Sequence, residues 1–315
     1  MLIKGCWIWL LLCVCCAGAG CATGVALPPP ALQLNHSGAE ALRAGDLETA
    51  GARLNLALEY NPDFVDALVN LANVEIQRGN FERARQLLLR ARRLNDDFAQ
   101  AHHGLGVLAE REERLDDAST HYREALEVNP GFVEARANLA RLLYEAGHYE
   151  HALVQFRRMR ELVPASLAAH RGFVATLLSL QRLEEAEQAL GAALDLGLAD
   201  RQLQILAGRV SLLRGDLHEA KLLLSEAARV PDDTGALALA WLAVLELAAE
   251  RPRHAIGAAQ KALALQPTEP VATYALAVAA TELDDPAAPQ WLERALSQNP
   301  KNPVLRRLAE KSPRD

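Results

Sequence analysis

From about residue 31 onward, apolar residues recur at intervals of three and four positions, and short polar turns interrupt the pattern at regular distances. This spacing places apolar side chains along one side of a helix, so it predicts a series of amphipathic helices. One alanine returns with a spacing of 34 residues through its sixth occurrence, and then of 35 and 33. These alanines are Ala50, Ala84, Ala118, Ala152, Ala186, Ala220, Ala255 and Ala288. A small residue at a fixed interval marks a point where two helices touch, which predicts a stack of equivalent helix pairs.

Turn residues separate the helices of this pattern. Within a pair, the turn glycines are Gly45, Gly79, Gly147 and Gly215. Glycine provides the left-handed backbone that ends a helix, and a following Asp or Asn caps the next one. Between pairs, the prolines after Asn or Gln are Pro62, Pro130, Pro267 and Pro300. Proline cannot continue a helix, so each of them marks the end of a pair.

The unit 99–132 carries the clearest motif. Its key residues are the pair Leu105-Gly106 followed by Ala118, Tyr122, Ala125 and Pro130. In these positions the chain resembles the tetratricopeptide repeat family, which has a period of about 34 residues. The resemblance implies an all-α fold, a right-handed superhelical solenoid of about eight helix hairpins. The expected hairpins are 31–64, 65–98, 99–132, 133–166, 167–200, 201–234, 236–269 and 270–302, followed by a capping helix and tail at 303–315.

Composition and charge narrow the range of functions. The formal net charge is -7, and Lys and Arg are interspersed with Asp and Glu. Without a basic block, nucleic acid is not expected as a partner. All five cysteines lie in the first 21 residues, and the rest of the chain carries no recognised catalytic or metal-binding motif. The sequence therefore predicts no enzymatic activity, no cofactor and no bound metal.

The first residues have the layout of an export signal. Lys4 precedes an apolar run from about Cys6 to Ala19, which is short for a transmembrane helix. The stretch Ala19-Gly20-Cys21 resembles the cleavage site of a bacterial lipoprotein signal. That resemblance implies removal of residues 1–20 and a lipid anchor, with palmitate, on Cys21.

Two alternatives remain open for this leader. Gly18 stands where the lipoprotein pattern has a branched apolar residue, so an ordinary leader peptidase could cut after Ala19, or the segment could stay as an uncleaved anchor. Ala22, in place of Asp, favours the periplasmic face of the outer membrane by the same resemblance. Residues 21–30 end in three prolines, which form a stiff tether.

In the resembling family, the first helix of each hairpin lines a concave groove. Carried onto this chain, the groove positions include Asn73, Gln77, His103, Arg111, Arg141, Tyr144, Arg171, Ile205, Arg209, Leu212, Leu213, Val244, Leu247 and Tyr274. Their first half is polar and their second half is mostly apolar. Such a groove suits an amphipathic helix or an extended peptide of a partner protein. The apolar half could instead be covered by the last helix or by a second copy of the chain in a homo-oligomer.

These features predict a non-enzymatic protein-interaction scaffold anchored in the bacterial cell envelope. The layout resembles the pilus assembly lipoproteins of type IV and tight-adherence systems, which implies help in assembling a pilus or a secretin. An organiser of exopolysaccharide export or of cell-wall enzymes is the alternative.

Overall fold

The computed structural model describes residues 29–311, and every regular element in that range is an α-helix. The helices form eight hairpins and one final helix. The first helix of each hairpin is called helix A. In chain order, the helices A are α1 (Pro29–Arg43), α3 (Val65–Gln77), α5 (Ala99–Arg111), α7 (Val133–Glu145), α9 (Leu167–Ser179), α11 (Arg201–Arg214), α13 (Asp233–Ala248) and α15 (Pro270–Glu282). The second helix of each hairpin is called helix B. In chain order, the helices B are α2 (Leu47–Tyr60), α4 (Phe81–Leu94), α6 (Leu115–Val128), α8 (Tyr149–Leu162), α10 (Leu183–Asp195), α12 (Leu217–Ala227), α14 (Pro252–Leu265) and α16 (Ala288–Gln298). The final helix, α17 (Pro303–Lys311), ends the stack. The predicted all-α solenoid of helix hairpins is confirmed.

Every hairpin turns through one residue with left-handed backbone. In four hairpins this residue is a predicted glycine, Gly45, Gly79, Gly147 or Gly215, with φ of 79°, 80°, 78° and 86°. In the other four it is Glu113, Gln181, Glu250 or Asp284, with φ of 61°, 59°, 58° and 51°. A residue with a side chain loses about 1–2 kcal/mol in this conformation. The packing of the repeat therefore imposes the turn even where the local sequence does not favour it.

The predicted caps of helix B are formed only in part. Asp46 and Asp216 accept hydrogen bonds from the backbone N–H groups of Thr49 and Glu219, each at 3.0 Å. Asn80 occupies the same position but makes no cap. Its amide instead donates to Oε2 of the buried Glu75 at 2.6 Å, so it ties the turn to helix A.

The core is built around one large side chain on seven of the eight helices B, and Ala259 takes that place on α14. This side chain packs against a small residue of its own helix A, as Leu54 does against Gly38 and Tyr122 against Gly106. It also packs against the next helix A, as Phe156 does against Gly172. A Cβ atom at Gly172 would lie 2.2 Å from Cε1 of Phe156. Tyr122 of α6 thus joins three helices, because it packs against Gly106 of α5 and accepts a hydrogen bond from Asn138 of α7.

The stack curves toward its helices A. Helices A of neighbouring hairpins pack directly on one another, as in the pairs α1–α3, α7–α9, α9–α11, α11–α13 and α13–α15. Within residues 29–311, the helices B of neighbouring hairpins make no comparable contact. Helices A therefore lie on the inner, concave side, and helices B lie on the outer side.

The connection between α12 and α13 differs from the other joints, and the sequence marks it by an extra residue near Gly235. The guanidinium of Arg201 donates to the carbonyl oxygen of Ala227 at 2.8 Å and to the carboxylate of Asp232 at 2.6 and 2.9 Å. This bond, together with the N–H of Gly235, lowers the pKa of Asp232 to about 2. Asp232 in turn caps α13. The joint is thus held by a guanidinium from the preceding hairpin.

The leader, Cys21 and the last four residues lie outside the described residues. None of the helices between residues 29 and 311 is both long enough and apolar enough to cross a membrane.

Candidate functional site

Polar side chains link successive helices A across the concave side. The amide of Asn70 donates to Oδ1 of Asn35 at 3.0 Å, and the hydroxyls of Tyr144 and Ser179 are 3.1 Å apart. These partners are 35 residues apart in sequence, which is one hairpin. Polar contacts of this kind therefore tie α1 to α3 and α7 to α9 on the inner surface.

A network of five side chains occupies the middle of this face. The hydroxyl of Tyr122 donates to Oε1 of Glu110 at 2.5 Å, and the amide of Asn138 donates to that hydroxyl at 3.3 Å. Asn138 also bonds Nε2 of His103 at 3.1 Å. The second oxygen of Glu110 pairs with Arg141. Burial and the neighbouring carboxylate raise the pKa of Tyr122, so its hydroxyl stays protonated and remains a donor.

His103 is held in this network as a neutral ring. Its ring lies against those of Tyr122 and Phe132, with centroids 5.5 and 5.1 Å apart. Burial lowers the pKa of His103 because the charged form loses its hydration. The polar half of the groove therefore offers hydrogen bonds, and the charges of Glu110, Arg141 and Glu145 are paired with one another.

A cavity of about 260 Å³ opens on the concave side between α7, α9, α11 and α13. Five of the residues that the sequence assigns to the groove line it together. They are Arg141, Tyr144, Arg171, Ile205 and Arg209. Ile205 is only 2% exposed, so it forms the floor and not the rim. Leu237, which the sequence also assigns to the groove, completes the walls, and the structure adds Phe156 and Gln202.

The three arginines of this cavity differ in their partners. Arg141 pairs with Glu110 and Glu145, and Arg171 pairs with Asp200 at 3.0 Å. Arg209 forms no ion pair or hydrogen bond with any residue from 29 to 311, and its buried Nε has no hydrogen-bond partner. Its guanidinium lies over the ring of Trp241, with Cζ 4.3 Å from the centroid. One positive charge in the cavity is therefore uncompensated.

A second cavity of about 300 Å³ lies near the end of the stack. Val244 and Tyr274, both predicted for the groove, line it together with Trp241, Val271 and Leu305. Leu305 belongs to α17, so the last helix closes one side of this cavity. The apolar half of the concave side is thus partly covered, as the sequence allowed.

The other predicted groove residues belong to neither cavity. Asn73, Gln77 and Arg111 lie on helices A, and the last two are exposed. Leu212 and Leu247 pack at the edge of the core. Leu213 is 61% exposed, which makes it one of the most exposed leucines of the described chain.

Sequence reasoning missed four residues of the site, which are Tyr122, Asn138, Phe156 and Gln202. Tyr122 is predicted as a core residue of helix B, and its hydroxyl reaches the concave face only because the ring passes between two helices A. Asn138 and Gln202 lie beside the groove positions carried over from the family. Across residues 29–311, no group of three His, Cys, Asp or Glu side chains is placed to hold a metal ion.

A stack of helix hairpins with an open inner face defines a helical-repeat protein, a class of fold that serves protein interaction. The model of the tetratricopeptide repeat family matches residues 41–108 and 109–161, so this part of the chain is similar to tetratricopeptide repeats. No curated protein matches the sequence.

Solved structures share this fold at low sequence identity. A chain of the APC/C hetero-tetramer Cut9–Hcn1 is similar with a TM-score of 0.61 at 15% identity, over 88% of this chain and 55% of that chain, so the present chain spans about half of its length. PilF of Pseudomonas aeruginosa gives a TM-score of 0.56 at 19% identity, over 64% of this chain and 91% of that chain. PilW, a widely conserved type IV pilus biogenesis factor, gives 0.54 at 17% identity, over 63% of this chain and 92% of that chain. Identities this low establish the fold alone.

Proposed function

We propose that this chain is a non-enzymatic scaffold of the bacterial cell envelope that holds a segment of a partner protein in its concave groove. The observation that carries the proposal is the inner face of the helices A, where two cavities open and polar side chains link neighbouring hairpins. Tetratricopeptide repeats serve as protein-interaction scaffolds, and this fold presents the same surface. An amphipathic helix or an extended peptide is the proposed ligand.

The proposed role of the scaffold is to assist the assembly of a multiprotein machine such as a pilus or a secretin. Two pilus proteins, PilF and PilW, have the same fold, and about nine-tenths of each is matched by this chain. The leader supports the location, because its end resembles a lipoprotein signal with Cys21 as the acylated residue. The proposed site of anchoring is the periplasmic face of the outer membrane.

The groove is tested by crosslinking in cell envelopes followed by mass spectrometry. Leu212→Glu combined with Val244→Glu places two charges on the apolar half of the concave side. We expect the amount of crosslinked partner to fall at least tenfold, while circular dichroism shows unchanged helical content. The matched control is Val154→Glu with Leu222→Glu, since both residues are exposed on helices B, at 56% and 60%. Unchanged capture by the groove variant would place the partner elsewhere on the molecule.

The anchor is tested by fractionation of the Cys21→Ser variant. If the thiol of Cys21 carries the lipid, this variant moves from the membrane to the soluble periplasmic fraction, and palmitate labelling is lost. The control is Cys16→Ser, which alters a cysteine of the apolar run and leaves the anchor in place. A Cys21→Ser chain that stays in the membrane fraction argues for an uncleaved leader.

A further inference from the structure

Arg209 has no ionic partner among the described residues, and it lines the cavity between α7, α9, α11 and α13. This free charge indicates what kind of ligand the cavity binds. Arg209 is partly buried, and a charge held away from water without an ionic partner costs free energy. Charged groups in such surroundings are frequent at functional sites. Arg209 stays protonated at any physiological pH. Its Nε is buried and has no hydrogen-bond partner, although the neighbouring Arg141 and Arg171 both pair with carboxylates of the chain.

The position of Arg209 directs this free charge toward the groove. The guanidinium of Arg209 stacks on the ring of Trp241, with Cζ 4.3 Å from the ring centroid, and this contact orients it. The cavity beside it measures about 260 Å³ and has a floor of Phe156, Ile205 and Leu206. This volume admits one side chain and leaves no room for a folded domain. The missing partner is therefore a small anionic group with an apolar stem.

A carboxylate satisfies these conditions better than a phosphate. One free guanidinium balances a single negative charge, and its fork geometry matches the two oxygens of a carboxylate. A phosphate monoester carries nearly two charges, and the other two arginines already have partners. The stem of an acidic side chain also fits the apolar floor, which a phosphate ester leaves unfilled.

The carboxylate that fits this cavity belongs to a side chain in the middle of a bound peptide segment. The cavity lies in hairpins four to seven, and helices A continue beyond it in both directions along the stack. A segment lying in the groove would cross the cavity with its middle, which favours a side-chain carboxylate over a terminal one. On the apolar side the groove continues toward Leu212 and Val244, so apolar residues are expected next to the acidic one.

We propose that Arg209 is the recognition residue for a Glu or Asp side chain of a partner segment, seated in the cavity with apolar neighbours along the groove. This inference rests on the proposed scaffold function and specifies the chemistry of its ligand. The site differs from the clamp that some members of the family use for a peptide carboxylate, because Val69 stands where that clamp needs a lysine.

The test uses fluorescence of Trp241 in the full chain, with Trp7, Trp9 and Trp291 replaced by Phe so that one tryptophan remains. The probes are three peptides: acetyl-Leu-Ala-Glu-Ala-Leu-amide, the same peptide with Gln for Glu, and a Gln peptide with a free C-terminal carboxylate. We expect the Glu peptide to change the fluorescence and to bind about 10- to 100-fold more tightly than the blocked Gln peptide. Arg209→Met keeps the apolar stem and should abolish this preference.

The matched control is Arg214→Met, which removes an exposed guanidinium from the same helix and should leave the preference intact. The melting temperature separates recognition from a structural role, since Arg209→Met should not lower it if the charge is kept for a ligand. Equal binding of the Glu and blocked Gln peptides, a preference that survives Arg209→Met, or a response to the free C-terminus alone would each overturn the proposal. If none of the three peptides changes the fluorescence, the carboxylate site is refuted. The scaffold function is tested separately by crosslinking in cell envelopes.

Discussion

Single glycines decide how closely the helices of this stack approach each other. In seven hairpins a small residue occupies the position of helix A that corresponds to Gly106 in the third hairpin. Val174 takes that position in the fifth hairpin. Val174 is nevertheless fully buried. Two residues earlier, Gly172 accommodates the ring of Phe156 from the preceding hairpin. Gly104 of α5 stands at the equivalent position and faces Leu88 in the same way, so this site receives the side chain of the preceding hairpin.

Replacing Gly172 should therefore be costly although alanine favours helix formation. The new Cβ would lie 2.2 Å from the Phe156 ring, and overpacking of this kind costs about 1–3 kcal/mol. The matched control is Gly191→Ala in α10, where no atom lies within 4 Å of the new Cβ. That change should stabilise the chain by about 0.5–1 kcal/mol. Urea unfolding measures both, and equal effects at the two sites would refute the packing argument.

At the scale of elements, α17 closes the open end of the stack. Its Leu305 is 1% exposed and packs with Ala277, Leu292 and Ala295 of the last hairpin. In a solenoid each hairpin contacts only its neighbours, so the contribution of a terminal helix is local. The end helices are held from one side, whereas internal helices are held from both.

Leu305→Ala should accordingly cost about 2–5 kcal/mol of local stability, as other deletions of buried leucine atoms do. Hydrogen exchange should show faster exchange in α15, α16 and α17 and unchanged protection in α1 to α6. Leu54→Ala at the other end is the mirror control, with faster exchange confined to the first hairpins. Uniform acceleration along the whole chain would show instead that the array unfolds as one cooperative unit.

At the scale of the whole molecule, the groove results from a difference between the two helices of every hairpin. Between residues 29 and 311, helices A pack on one another across hairpins and helices B make no comparable contact, which bends the stack and brings distant residues together. Glu110 and Arg141 are 31 residues apart, and so are Arg171 and Gln202, yet each pair is in direct contact. The walls of the cavity at Arg209 come from four hairpins in the same way.

The sequence by itself determined the helices, their pairing and the class of fold. A period of 34 residues and helical spacing of apolar side chains depend on contacts between near neighbours, which sequence patterns record. It also placed Arg141, Tyr144, Arg171, Ile205 and Arg209 on helices A.

Only the tertiary structure decided which of these residues share a cavity and which charge lacks a partner. That outcome depends on the curvature of the stack and on side chains of other hairpins, such as Asp200, which neutralises Arg171, and Trp241, which supports Arg209. A repeat pattern describes each hairpin separately, whereas the pairing of charges in a cavity depends on side chains from every hairpin that surrounds it. Ion pairing and burial are therefore set by three-dimensional packing, and the sequence pattern does not contain them.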